Sequence, residues 1–396
     1  MDIDIAPQLA EFREEIRRWL DDHLVGEFAQ IRGVGSPTDD AAWEARLAWE
    51  KELGAGGWLG LGWPREYGGR GASLAEEVVF EYEYARAAAP ARVGTQALEL
   101  LGPTLIRFGT DRQRERFLPK IVAVEEMWGQ GFSEPGSGSD LASVSTRARR
   151  DGDDWVIDGQ KIWTTFGHHA DWLYVLCRTD PDSTLRHKGL SLLLVPVDQP
   201  GVEVRPIRNL AGGSEFSECY FDGARTSTDM VVGEVGGGWP VVMATLGMER
   251  GAALMPMQLS MEREVQETIT QASKLGATAD PRIRRRLTDA YIAVHLMRST
   301  NLRIVSDLID PDAGVPGARS AAAAAIMKLF ASTEHQKLGE LALDIQGDLG
   351  LLESDEFSPA SNAQKMFLLS RAETIYGGTA EIQRNIVSER VLGLPR

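Results

Sequence analysis

The residues best suited to chemistry lie in one run, Gln130-Gly131-Phe132-Ser133-Glu134-Pro135-Gly136-Ser137-Gly138-Ser139-Asp140, which has no hydrophobic period. It combines three glycines, five hydroxyl or carboxylate side chains and a proline. Such a run turns the backbone sharply and presents its N–H groups outward, a shape that holds an anion or the polar edge of a ring. A plain Gly/Ser connection between domains has a similar composition. Other reactive types are sparse. Cys177 and Cys219 stand inside apolar, strand-like runs, as small buried hydrophobes do, and not as a disulfide or a nucleophile. His168 and His169 are adjacent, so they do not offer two ligands on one face, and no metal site is expected.

These residues need elements to carry them, and the chain has the length for two or three packed domains. Its 396 residues are 43% hydrophobic and 25% charged, a globular balance. Against 58 acidic residues stand 42 basic ones, a net charge of −16, which argues against nucleic acid or an anionic membrane as partner. No apolar run of about 18 residues occurs, and the acidic start Met1-Asp2-Ile3-Asp4 is unlike a leader, so a cytoplasmic protein is expected.

From residue 8 to about 125 the period is helical, as in Leu9, Phe12, Ile16 and Leu20. A helix through Trp43, Leu47 and Lys51 is broken by the glycines from Gly54, and helices resume at Ser73 and Gly94. Thr110-Asp111-Arg112-Gln113 reads as a cap and first turn of a short helix that Pro119 ends. Beyond the loop the pattern becomes that of strands: Trp155 to Ile157, Trp172 to Leu176, Leu190 to Val197, Val202 to Ile207 and Cys219 to Phe221. Asp151-Gly152, Asp158-Gly159, Pro200-Gly201 and Asp222-Gly223 read as the turns between them. Gly236-Gly237-Gly238 then opens a second helical region, with Asp280-Pro281 as a helix start, a helix-forming run from Ala318 to Phe330, and a last helix from Ala380 to Leu392. The expected architecture is therefore α+β and multidomain: a helical domain over 1–125, a mostly antiparallel, barrel-like β domain over 126–235, and a helical, four-helix-bundle-like domain over 236–396.

In this order of elements the chain resembles the acyl-CoA dehydrogenase family. The resemblance rests on Gly57 to Pro64 with Glu66-Tyr67-Gly68-Gly69, Phe108-Gly109-Thr110, the Ser133 to Asp140 loop, Gly159-Gln160-Lys161-Ile162-Trp163, and Gly378-Thr379-Ala380-Glu381-Ile382-Gln383-Arg384. It implies FAD held between the middle and C-terminal domains, with Phe132 and Ser133 along the flavin, Gly138, Ser139 and loop amides at its phosphates, Trp163 and Thr165 beside the ring, and Thr379 and Glu381 on the far side. A Trp face can cover such a ring, and a hydroxyl can donate to it without adding charge. The implied chemistry is α,β-dehydrogenation of an acyl-CoA in lipid metabolism or β-oxidation. A carboxylate takes the α-proton, flavin N5 accepts the β-hydride, and hydrogen-bond donors stabilise the thioester oxygen. An electron-transfer flavoprotein is the implied acceptor, and a homodimer, homotetramer or heterotetramer the implied assembly.

Where many members carry a base in Tyr-Glu-Gly-Thr, this chain has Tyr376-Gly377-Gly378-Thr379. Other branches place the base on the long helix after the β domain, where this chain has Met248-Glu249-Arg250. Glu249 shares a helical face with Val242, Leu246, Ala253 and Pro256, so it is expected in an apolar cleft that raises its pKa toward a useful value. Gly377 then offers its N–H to the thioester oxygen, with Ser139, Arg250 and Tyr376 toward the substrate. The segments used by relatives to reach a neighbouring subunit's FAD are altered, with Arg282 to Arg286 and Asp344 to Gly350 in their place. Two other readings stay open: a catalytically silent subunit of a heteromeric dehydrogenase, and an oxidase or monooxygenase on the same fold.

Overall fold

A computed structural model of the chain describes residues 7–36, 40–252, 254–309, 318–352 and 359–395. They form two compact units, Met1–Glu249 and Arg250–Arg396.

In the first unit six helices precede the sheet: α1 (Pro7–His23), α2 (Gly26–Gln30), α3 (Trp43–Ala55), α4 (Leu74–Arg86), α5 (Gly102–Phe108) and α6 (Asp111–Val122). Their starts are set locally. Ser73 and Thr110 each cap the helix that follows, and Glu76 and Gln113 reach back to close a capping box. Pro119 does not end α6, as the sequence led us to expect, but lies within its last turn. Its missing N–H deprives the carbonyl of Glu115, an exposed residue that water can serve, and Ala123 N still donates to Pro119 O at 3.0 Å.

The sheet has eight strands: β1 (Trp128–Gly131), β2 (Arg147–Asp151), β3 (Asp154–Thr165), β4 (Trp172–Arg178), β5 (Leu190–Pro196), β6 (Val202–Ile207), β7 (Phe216–Ser227) and β8 (Val231–Val232). Their order is β6-β7-β3-β2-β4-β5-β8, with β1 parallel to β4 and the ladders otherwise antiparallel apart from one β2 to β4 contact. The run Trp172 to Cys177 in β4 is apolar because both faces are covered. Tyr174 and Leu176 join Trp49, Phe80 and Phe117 of the helices and Trp58 of the segment after α3 in one core, and Leu173, Val175 and Cys177 join Val195, Cys219 and Phe221 in another. Two of the expected turns are not turns. Asp158-Gly159 lies inside β3 and Asp222-Gly223 inside β7, where Asp158 faces Asp222, the register shifts at Gly223, and Asp158 Oδ1 accepts from Gly223 N at 2.8 Å. Gly159 holds φ +150, and a Cβ there would lie 2.6 Å from Thr146 Oγ1. Glycine and aspartate serve a bulge as well as a turn, and only the partner strand decides between them.

After the sheet comes α7 (Gly238–Ala252), and the second unit then contains α8 (Leu254–Lys274), α9 (Pro281–Ile309), α10 (Ala318–Gln346), α11 (Pro359–Glu373) and α12 (Ala380–Ile386). Asp280 caps α9 by accepting from Arg282 N at 2.8 Å, as Asp280-Pro281 announced. The α10 helix packs against α8, α9 and α11 around Met261, Val265, Val294, Met297, Met327 and Leu338. The last helix is shorter than expected: α12 passes into a wider π-type turn over Val387–Val391.

Candidate active site

The glycine-rich loop leaves β1 and is closed on itself by two bonds, Glu134 N to Ser137 O at 2.9 Å and Ser137 N to Glu134 O at 3.0 Å. Ser137, itself buried, donates its hydroxyl to Asp140 O at 2.7 Å. The anchor is Glu134, only 6% exposed. Its carboxylate accepts from Ser145 N and Oγ, each at 2.7 Å, from Thr146 N at 2.8 Å and from Lys161 Nζ at 2.8 Å. Burial alone would raise its pKa, but the Lys161 charge and these donors outweigh it and bring the carboxyl down to about 2. Lys161, fully buried on β3, also donates to Phe132 O at 3.0 Å, so one ammonium fixes both the start and the side-chain anchor of the loop. The Phe132 ring is buried edge-on against Tyr174, 5.6 Å between centroids.

The end of β3 supplies the aromatic neighbour. Ile162 N donates to Ser133 O at 2.9 Å, and the register shifts between Lys161 and Thr164. At this irregularity Trp163 adopts φ +63, a conformation that costs a non-glycine residue about 1 kcal/mol or more. The result is an indole 56% exposed, perpendicular to Phe216 at 6.1 Å. Thr165, half-buried, closes the strand. Gly136 and Gly138 have open space where a Cβ would stand. The amides of Gly136, Gly138 and Ser139 donate to no acceptor among the described residues, and the buried Gln130 Nε2 has no partner there either. Uncommitted donors beside an outward-turned indole fit a ligand that is both flat and anionic, such as a flavin nucleotide.

In the second unit, the expected residues Tyr376, Gly377 and Thr379 lie on one short turn between α11 and α12, and Glu381 is in the first turn of α12. Gly377 and Gly378 hold φ +61 and +91. Thr379 caps α12 by accepting from Ile382 N at 3.2 Å, and Glu381 is exposed. Gly377 O accepts from Gln383 Nε2 at 3.1 Å, while Gly377 N donates to no acceptor among the described residues. Glu249 and Arg250 fall in α7, and their side chains lie outside the described residues. Of the arginine cluster, Arg282 pairs with Asp280 at 2.9 Å, Arg284 donates to Thr278 O at 3.1 Å, and Arg286 pairs with Asp344. The two cysteines are buried, and burial pushes their thiols up to about 12 and about 11. Sequence reasoning missed the Glu134 to Lys161 pair. No local pattern marks it, because Lys161 lies opposite the buried Cys219 only once β3 and β7 have paired.

Three family descriptions match in order: "Acyl-CoA dehydrogenase, N-terminal domain" over residues 6–125, the middle domain over 129–224 and the C-terminal domain over 236–392. The chain is 50% identical to acyl-CoA dehydrogenase IpdE1 of Mycobacterium tuberculosis, over 98% of both proteins. Among solved structures it is similar to the "Tcur3481-Tcur3483 steroid ACAD", with a TM-score of 0.85 and 32% identity over all of both chains. It is also similar to a chain of the ChsE4-ChsE5 complex from Mycobacterium tuberculosis, with a TM-score of 0.81 and 30% identity over all of both chains.

Proposed function

Because the chain belongs to the acyl-CoA dehydrogenase family, we propose that it is an FAD-dependent enzyme that converts an acyl-CoA to a trans-2-enoyl-CoA. The observation that carries this reading is the loop of open amides at Gly136, Gly138 and Ser139, held rigid by Glu134 and Lys161 beside an outward-turned Trp163. FAD, when bound, supplies the acceptor for the β-hydride. Phe132, Ser133, Trp163 and Thr165 would hold its ring and Gly138 and Ser139 its phosphates, with Thr379 and Glu381 as further cofactor residues. Glu249 takes the α-proton. It falls three residues after Leu246 and seven after Val242 on α7, the stripe on which Val242 is fully buried. The Gly377 N–H receives the thioester oxygen as negative charge builds on it, and Ser139, Arg250 and Tyr376 complete the substrate side.

The names of the solved relatives support two further steps. One is titled a steroid enzyme and both titles join two chains, so we extend the reading to a steroid-derived acyl group in place of a simple fatty chain, and to assembly with a second, related chain. An electron-transfer flavoprotein then reoxidises the enzyme. A silent-subunit reading draws on Gly377, whose φ of +61 disfavours a glutamate at the position where many relatives place their base. One experiment separates the two: anaerobic bleaching of the FAD-loaded protein, alone and with a related partner, by butanoyl-CoA, octanoyl-CoA and a steroid acyl-CoA. Glu249→Gln retains FAD and the spectral response to acyl-CoA, while its reduction slows by about 10² to 10⁴. Reduction at the wild-type rate would show that the base lies elsewhere. A wild type that no thioester reduces would favour the silent subunit.

A further inference from the structure

One face of α10 carries Lys328 and His335, seven residues apart, and both meet Glu373 at the end of α11. Lys328 is 8% exposed. Its Nζ donates to Glu373 O at 2.7 Å and to Gly378 O at 2.8 Å. A lysine near a helix end ordinarily caps it, and the first bond does this for α11. The second reaches five residues beyond α11, across the turn that carries Gly377. The carboxylate of Glu373 is held in its turn by His335 Nδ1 at 2.8 Å, and His335 Nε2 lies 2.9 Å from Glu264 of α8. The anchor of this turn is therefore tied to three helices.

A Gly-Gly pair in left-handed backbone is the softest part of such a turn, because its peptide planes rotate with little steric resistance. Each plane near Gly377 is nevertheless held. Tyr376 N donates to Ala372 O at 3.0 Å on one side. Gln383, fully buried on α12, holds Gly377 O on the other, and Lys328 holds the next carbonyl, that of Gly378. The peptide plane bearing the Gly377 N–H, shared with the Tyr376 carbonyl, is thus flanked by a held plane on each side.

We propose that Lys328 is a positioning residue for the reaction, which bonds the Glu373 and Gly378 carbonyls and so holds the Gly377 N–H in the direction a thioester oxygen requires. The inference rests on the acyl-CoA dehydrogenase reading above. A lysine suits the task because a single ammonium offers three donors at the end of an apolar stem that packs within the bundle.

Lys328→Met keeps the stem and removes the donors. In the FAD-loaded enzyme, reduced anaerobically by whichever of butanoyl-CoA, octanoyl-CoA and a steroid acyl-CoA reduces the wild type, the expected result is retained FAD and little change in KM. The reduction rate falls about tenfold to a hundredfold, the scale of a misplaced or lost oxyanion donor. In a Glu249→Gln background, which holds the thioester unreacted, the carbonyl stretch of the bound, carbon-13-labelled acyl-CoA moves back toward its value in water. Gln383→Met, which frees the adjoining plane from the α12 side, shifts both readouts in the same direction and carries the test if Lys328→Met does not fold. A lowered thermal midpoint with wild-type reduction rate and carbonyl frequency would make Lys328 a helix cap only, overturning the inference while leaving the dehydrogenase reading intact. A wild-type holoenzyme that no thioester reduces overturns that reading and this inference with it.

Discussion

Lys161→Met preserves the length of a fully buried side chain and deletes its ammonium, leaving Glu134, 6% exposed, with the Ser145 amide and hydroxyl and the Thr146 amide as its described donors. Breaking a buried pair by removing one partner costs about 3 to 5 kcal/mol, and three surviving donors place this case at the lower end. A carboxyl that titrates at about 2 in place of 4.5 contributes stability at neutral pH through all its donors together, and the burial that lowers the Lys161 pKa offsets part of it. Because the folded-state pKa is depressed, that contribution is complete above pH 4.5 and fades as pH falls through about 2. For a unit of this size, about 3 kcal/mol lowers the thermal midpoint by about 6 to 12 °C. The assay is thermal unfolding followed by tryptophan fluorescence, wild type against Lys161→Met, at pH 7 and at pH 3. The gap at pH 3 should be less than half that at pH 7. A loss of under about 2 °C at pH 7, or an equal loss at both pH values, would refute the view that a charged Glu134 held by Lys161 anchors the loop.

Trp163→Ala removes an indole that is 56% exposed, so the thermal midpoint should move little, while FAD should bind about tenfold more weakly, the scale of one lost aromatic contact. Fluorescence titration of FAD reads this, and an unchanged affinity would remove Trp163 from the cofactor site. At His335, burial by itself would lower the imidazole pKa, but Glu264 and Glu373 outweigh it and push it well above 6.5. Its stabilising charge is therefore complete below pH 6.5 and lost as pH rises through the elevated folded value. Denaturant unfolding should find His335→Gln about 3 kcal/mol less stable at pH 6, with the gap narrowing toward pH 10; a gap that widens with pH would contradict the bridge.

What the sequence determined by itself is whatever neighbours within a few residues decide. Ser73 with Glu76, Thr110 with Gln113 and Asp280 with Pro281 mark helix starts because a cap is satisfied within three residues. Val202 to Ile207 became β6 as its pattern implied, and the types in the Ser133 to Asp140 loop already spoke of exposed amides. The tertiary structure decided the rest, because the deciding partner lay far along the chain. Asp158-Gly159 and Asp222-Gly223 became strand residues, with Gly223 as the extra one of a bulge, only when β3 met β7. Pro119 stayed inside α6 because the carbonyl it deprives belongs to an exposed residue. Nothing in Gly-Gln-Lys-Ile-Trp announces that its lysine is buried on a glutamate 27 residues earlier, nor does a helix-forming alanine run reveal that its lysine reaches a glycine carbonyl 50 residues later. A buried ammonium is tolerable only where acceptors converge on it, and that convergence exists only once the chain has folded.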